Sequence, residues 1–285
     1  MVAMRVILGS GNVPVIYAVP HASHDFNKFD DRVALTQEQK ERFSDYGTGV
    51  TAPTNGIVAI IAEHSRALGD CNRDADDAGR FQDQDYGKAQ AGGKHDIWKP
   101  GQGLTDEEKQ WCDDNLYVPF RQEIFEQLKK RADPTFLVCW HNTAHYEIGE
   151  NEAGEQVIMK PFILSNRGAE ESFESNGQEQ TSCDPVFMTL LRDAFIIALR
   201  QHDLPDEVHM NLVYRGGSNC RMYSSHRNPE SLVEKGIVAF TQSLQLEYDT
   251  ILTHDQQTLE FYPDKAAAIQ AAFTQAIEQA IAEYK

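Results

Sequence analysis

Two apolar runs in this chain end in histidine. "VIYAVPHASHDF" (15–26) stops at Pro20 and then presents His21, His24 and Asp25; "TFLVCWHNTAH" (135–145) closes on His141 and His145. Imidazoles and carboxylates suit a hydrolytic zinc ion, which needs three protein donors and one open position for water. The candidates near strand ends are His21, His24, Asp25, Asp45, His141 and His145. There is no H-E-x-x-H helix, so such a centre has to be assembled from separated segments.

Three further stretches carry chemistry-bearing residues. "EHSRALGDCNRD" places Arg66 and Arg73 seven residues apart with Asp70 and Asn72 between them. Planar guanidinium groups bind carboxylates through two parallel hydrogen bonds; the alternative is a pair of surface arginines balancing nearby acids. "LVYRGGSNCRMY" sets Gly216-Gly217 after an apolar run, flanked by Arg215 and Arg221. Two glycines there make a plain tight turn or let the backbone approach a ligand closely. In "SLQLEYDTIL", Glu247 alternates with Leu244 and Leu246, which makes it either a solvent-facing carboxylate or a buried base. Ser23, Ser65 and Cys139 sit in no nucleophile elbow or Cys/His pattern, and no glycine motif supports a nucleotide site.

The elements that must position these residues can be read from pattern. Arg5–Leu8 and Val13–Val19 are strand-like bursts around residues 9–12, a hairpin or a strand–loop–strand. Thr36 to Phe43 suggests a short helix, and Asn55 is placed to cap "GIVAIIAEHSRAL", which has helical periodicity. Asp74 to Gly103 is a polar excursion. Thr105 and Glu108 form a capping box that opens a helix to about Arg131. After Pro134 comes the strand leading to His141, then a hairpin turn over 149–156. A helix from Asp184-Pro185 to about His202, strands in "EVHMNLVY" and "GIVAFTQSLQLEYD", and an Ala-rich amphipathic helix from Asp264 to Tyr284 complete the chain. Alternating strands and helices imply one three-layer α/β/α domain over residues 1–285 with a mixed sheet. Sites in such sheets lie at the carboxyl ends of strands, where His21 and His141 would share a crevice.

Bulk properties narrow the partners. The 285 residues carry a formal net charge of −18, which disfavours nucleic acid and anionic lipid surfaces but leaves room for an anionic substrate in a locally basic cleft. Five dispersed cysteines (Cys71, Cys112, Cys139, Cys183, Cys220) read as reduced thiols. With no signal-like segment and no apolar run near the ~20 residues of a membrane span, the expected location is the cytoplasm.

Taken together and in order, "VPHAS", "SDYGTG", "SRALGDCNR", "WHNTAH", "YRGGSNCRMY" and "LQLEYD" resemble the motifs of the N-formylglutamate amidohydrolase family, which has a zinc-carboxypeptidase-like fold. The resemblance spans about Val15 to Leu252. It implies Zn2+ as cofactor, with His21 as first ligand, Asp45 as the acidic ligand and His141 as last. It implies Glu247 as general base and Arg66 as the group polarising the scissile carbonyl. Asn72 and Arg73 match a pair that holds the substrate carboxylate, with Arg215, Gly216, Gly217 and Arg221 completing the substrate-binding set. Members often carry Asp-x-His-Ser at the last ligand, whereas this chain has Cys139-Trp140-His141-Asn142, which would put Trp140 beside the metal. Where the wider carboxypeptidase group often has an acidic ligand three residues after the first histidine, this chain has His24, so a His21/His24/His141 set stays open. The implied function is zinc-dependent hydrolysis of a small-molecule N-acyl amino acid such as N-formylglutamate. A zinc carboxypeptidase acting on short peptides and a non-catalytic carboxylate-binding protein of the same fold are the competing readings.

Overall fold

Apolar runs without alternation build the middle of the sheet, because helices cover both of its faces. The computed structural model of the chain describes residues 3–9, 13–52, 56–85, 95–143, 149–150, 156–157, 161–212 and 214–284. Among these, the strands are β1 (Met4–Ile7), β2 (Val15–Val19), β3 (Val58–Ala62), β4 (Gln84–Asp85), β5 (His95–Asp96), β6 (Thr135–Thr143), β7 (Gly149–Glu150), β8 (Gln156–Val157), β9 (Phe162–Ser165), β10 (Val208–Met210) and β11 (Thr241–Asp249). Seven form one mixed sheet in the order β1-β3-β2-β6-β11-β9-β10. The pairs β4–β5 and β7–β8 form two small antiparallel ribbons. Within the main sheet β3, β2, β6 and β11 run parallel, so their carboxyl ends share one edge.

The helices are α1 (Gln37–Phe43), α2 (Thr48–Thr51), α3 (Asp106–Cys112), α4 (Val118–Lys129), α5 (Pro185–Gln201), α6 (Ser218–Met222), α7 (Pro229–Glu234) and α8 (Pro263–Glu283). Helices α5 and α8 cover one face. Phe187, Leu191 and Phe195 of α5, with Ile269, Phe273 and Ile277 of α8, follow the i, i+4, i+8 spacing of a single helical stripe. They bury against Tyr17, Val138, Trp140, Leu244 and Leu246. On the other face Phe120, Ile124 and Leu128 of α4 pack on Ile16, Ala18, Ile60 and Leu137. Each such large side chain contributes about 1.5–3 kcal/mol on leaving water. Thr105 caps α3 with the reciprocal bonds to Glu108 that its spacing predicts. Pro119 has no N–H to donate, and the helix widens to a π-helical turn over Asp113–Tyr117 just before it.

One expectation is corrected and one alternative is decided. "GIVAIIAEHSRAL" holds strand β3, not a helix: all of Val58–Ala62 is buried, and a strand packed on both faces lacks the polar positions that would reveal alternation. Asn55 itself lies outside the described residues. Of the two readings for the N-terminal strands, the hairpin is not formed: β1 pairs antiparallel with β3 and does not neighbour β2, and residues 10–12 lie outside the described residues. Of the hairpin expected over 149–156, strands β7 and β8 pair antiparallel and residues 151–155 lie outside the described residues.

Candidate metal centre and active site

Three elements at the shared strand edge deliver the candidate ligands. His21 follows β2 directly after Pro20, which cannot extend the ladder. Asp45 lies between α1 and α2, and its N–H donates to the His21 carbonyl at 2.9 Å, so the two loops are tied together. His141 is the seventh residue of β6. The Nδ1 atoms of His21 and His141 stand 3.3 and 2.7 Å from the same oxygen, Asp45 Oδ2. The imidazole rings are 4.8 Å apart, centroid to centroid. All three residues are buried, and their ligand atoms lie within 4.8 Å of one another. Two imidazole nitrogens and a carboxylate oxygen, gathered this closely out of water, are a donor set suited to a divalent transition metal.

The distal ring atoms are also held. His21 Nε2 lies 2.6 Å from Asp70 Oδ1, and His141 Nε2 lies 3.2 Å from the Asn72 amide. Asp70 accepts from the Nε2–H of His21 and so leaves its Nδ1 free to ligate, whereas the Asn72 NH₂ donates to His141 Nε2, which puts the His141 proton on Nδ1, toward Asp45, and fixes the angle of that ring. Burial alone would raise the Asp70 carboxyl pKa, but His21 and Arg66 outweigh it and hold the group well below the ordinary carboxylate range. Arg66 donates to Asp70 Oδ2 at 2.9 Å. Its guanidinium stays charged against its own burial because Asp70 and Asp45 face it.

Glu247 enters by strand register. In the parallel pair β6–β11 it is level with His141, as Leu246 is with Trp140. Since residues alternate across a strand, Glu247 shares the His141 face, away from α5 and α8, and is 5% exposed. Its Oε1 accepts from Gln245 Nε2 at 2.9 Å. The same alternation corrects the expectation for Trp140: its ring packs on the opposite face against Tyr17, Tyr248 and Phe273, with its indole N–H donating to Thr51, and is not beside the metal candidates. Cys139 does lie on the His141 face, but a hydrogen bond with Cys220 and burial push its thiol pKa far up, which removes it as a nucleophile.

The arginines line the same cleft, whose volume is about 400 Å³. Arg73 is held by Asp77 at 3.2 Å and Asp70 at 3.6 Å, and Arg221 pairs with Asp74. Arg215 donates to the Gly168 carbonyl at 3.1 Å. Gly216 has φ of +101°, and a Cβ on Gly217 would meet the Asn72 side chain at 2.3 Å, so both glycines are needed for this turn. Arg66 opens a short 3₁₀ turn after Ser65 rather than ending a helix.

His24 does not join the ligand cluster; it bonds Gln37 at 3.0 Å and lines a separate pocket with Tyr46. Asp25 accepts from the Asn27 N–H in a local turn. Ser23 and Ser65 serve as turn acceptors. His145 lies outside the described residues. Residue patterns did not single out Asp70, Gln245, Tyr214 or Arg167 for the cleft. Asp70 lies within "SRALGDCNR" and Gln245 within "LQLEYD", and their place in those motifs is the signal that points to them. Arg167 donates to the Gly216 carbonyl at 2.7 Å and marked itself by nothing in sequence.

An α/β sheet with a buried His–Asp–His cluster and a carboxylate at its strand ends defines a candidate hydrolase with a metal centre. The N-formylglutamate amidohydrolase family model matches residues 13–234, and the chain belongs to that family, one of hydrolases. The fold is that of the N-formylglutamate amidohydrolase from Ralstonia eutropha JMP134, with TM-score 0.67 and 18% identity over 99% of this chain and 98% of that one. It is shared with a gene product of Agrobacterium tumefaciens, with TM-score 0.61 and 16% identity over 99% and 96% of the two chains. No curated protein sequence matches the chain. No described helix is long and apolar enough to cross a membrane. Glu247 falls beyond the matched residues, so its position in the cleft rests on the register of β11 against β6.

Proposed function

We propose that this protein hydrolyses the amide bond of an N-acyl amino acid, N-formylglutamate first among them, with zinc held by His21, Asp45 and His141. The observation that carries the reading is the convergence of three buried ligand atoms on one edge of the sheet, with Glu247 level with His141, in a chain of this family. A divalent ion so held lowers the pKa of water and polarises a carbonyl. Glu247 takes the proton of the attacking water and returns it to the leaving amine. Arg66 stabilises the negative charge that develops on the carbonyl oxygen, a contribution of about 3–4 kcal/mol for a well-placed donor. Asn72 and Arg73, with the turn from Arg215 to Gly217 and Arg221, hold the substrate carboxylates and so fix the amide in the line of attack. Asp70 and Asn72 keep the two imidazoles oriented.

The test is metal analysis together with a substrate panel. Purified protein is expected to hold one zinc per chain, and His21→Ala and His141→Ala to lose it. Retention of full metal by both variants overturns the ligand assignment. Loss in His24→Ala with retention in Asp45→Ala favours the alternative ligand set. Formate release from N-formylglutamate is the expected activity; cleavage confined to short peptides overturns the amidohydrolase reading.

A further inference from the structure

Gln245 is buried on β11, 3% exposed, two residues before Glu247 and on the same face. Side chains at i and i+2 of a strand are neighbours, and a glutamine is long enough to bridge them. Its two amide atoms have different partners. Oε1 accepts from the backbone N–H of Gly217 at 3.1 Å, and Nε2 donates to Glu247 Oε1 at 2.9 Å. A backbone N–H can only donate, so Gly217 fixes which end of the amide faces it. The NH₂ end is then forced onto Glu247. One carboxylate oxygen of Glu247 is thereby occupied and the carboxylate plane is set.

The Gly217 end is equally constrained. Gly216 sits at φ +101°, a backbone angle that side-chain-bearing residues adopt only with strain. Gly217 packs so closely on Asn72 that a Cβ would not fit, and Ser218 N–H donates to the Asn72 carbonyl at 3.0 Å. Asn72 in turn meets His141. A continuous chain of contacts therefore runs from Glu247 through Gln245, the Gly217 turn and Asn72 to His141.

We infer that Gln245 is a positioning residue that locks the orientation of Glu247 to the conformation of the Gly216–Gly217 turn, so that the turn which holds the substrate and the carboxylate which moves the proton are set together. The inference rests on the amidohydrolase reading for what Glu247 does, but not for the lock itself. Gln245 touches no reacting atom. A carboxylate rotated out of place costs rate rather than affinity, because anchoring is assigned to other side chains.

The experiment uses the full-length, zinc-loaded protein and three variants. Gln245→Met keeps the volume and removes both bonds. Gln245→Glu keeps the acceptor for Gly217 and sets a like charge beside Glu247. Glu247→Gln isolates the partner. Amide hydrogen exchange at Gly217, read without substrate, is expected to be about 3- to 10-fold faster in Gln245→Met. It is expected to stay near wild type in Gln245→Glu and in Glu247→Gln. With N-formylglutamate, kcat is expected to fall by about 10- to 100-fold in both Gln245 variants, the usual scale for a residue that orients a functional group, with KM little changed in Gln245→Glu, which keeps the Gly217 bond, and raised in Gln245→Met, which frees the turn. Adding Gln245→Met to Glu247→Gln should cost nothing more, since the first acts only through the second. Unchanged Gly217 exchange in Gln245→Met, or a full multiplication of the two rate losses, overturns the inference. A wild-type protein that fails to release formate overturns the proposed function instead, and the Gly217 exchange still decides whether the lock exists.

Discussion

At Glu247 one substitution separates proton transfer from binding. Glu247→Gln keeps shape and buried volume and removes the basic oxygen. The fold and the metal content are expected to survive, since Glu247 is not among the proposed ligands. Turnover of N-formylglutamate should fall by about 10²- to 10⁴-fold, the range of a positioned acid–base group, with KM nearly constant. Steady-state kinetics beside metal analysis checks this; near-normal kcat would return Glu247 to the rank of an ordinary strand carboxylate. Much of this cleft was legible one residue at a time. His21 and His141 announced themselves by ending apolar runs, and the paired arginines by their spacing. Glu247 did not, because alternation permits either face, and only the register against β6 decides which face is lined by His141. Asp70 was visible as a residue but not as the partner of His21, because their contact joins loops 49 residues apart. Trp140 was misplaced for the opposite reason: adjacency in sequence to His141 means opposite sides of a strand.

The elements that hold these residues were legible where local chemistry decides them. The capping boxes at Thr36 and Thr105 start their helices as their spacing says. The α5 and α8 stripes carry the 3.6-residue period in full. Strand β3 was misread because "IVAIIA" is apolar on both faces, a pattern that fits a short buried helix as well as a central parallel strand. The decisive fact, coverage by α4 on one side and by α8 on the other, is tertiary. The Gly216–Gly217 turn belongs to this scale too. Gly217→Ala drives a methyl group into the Asn72 side chain. Overpacking of this kind costs about 1–3 kcal/mol. It should also push Asn72 away from His141 and lower kcat/KM at least ~10-fold, as loss of an outer-shell partner does. Thermal unfolding and kinetics read both effects. Because the clash has one identifiable partner, adding Asn72→Ala should restore most of the stability while leaving the activity low. If the double variant is no more stable than Gly217→Ala alone, the contact with Asn72 is not what requires glycine there.

Over the whole molecule the charge is strongly negative, whereas at the cleft it balances, with Asp45, Asp70, Asp74, Asp77 and Glu247 standing among the arginines. A chain of net charge −18 nevertheless gathers Arg66, Arg73, Arg167, Arg215 and Arg221 around one cleft. Arg66, Arg73, Arg167 and Arg221 each lean on an acid of the cleft or its rim, which holds the cluster together and keeps the guanidinium groups oriented. The candidate ligands come from three separated parts of the chain: the end of β2, the connection between α1 and α2, and the carboxyl-terminal third of β6. These parts are together only in the folded state, so an ion bound there binds the native chain and not the unfolded one. Such binding stabilises by RT ln(1 + [L]/Kd), about 2.7 kcal/mol when free zinc is at 100 times its dissociation constant. For a chain of 285 residues that corresponds to a rise in Tm of roughly 4–5 °C. Removing the metal with a chelator should therefore lower Tm by that amount, and returning zinc should restore it. His141→Ala, with one donor missing, should show no zinc-dependent shift, whereas Glu247→Gln should show the full one. This pattern distinguishes the cluster from adventitious binding at surface carboxylates, which would respond to neither substitution. A zinc-dependent Tm that persists in both His21→Ala and His141→Ala would mean that the ion stabilises the protein from somewhere else.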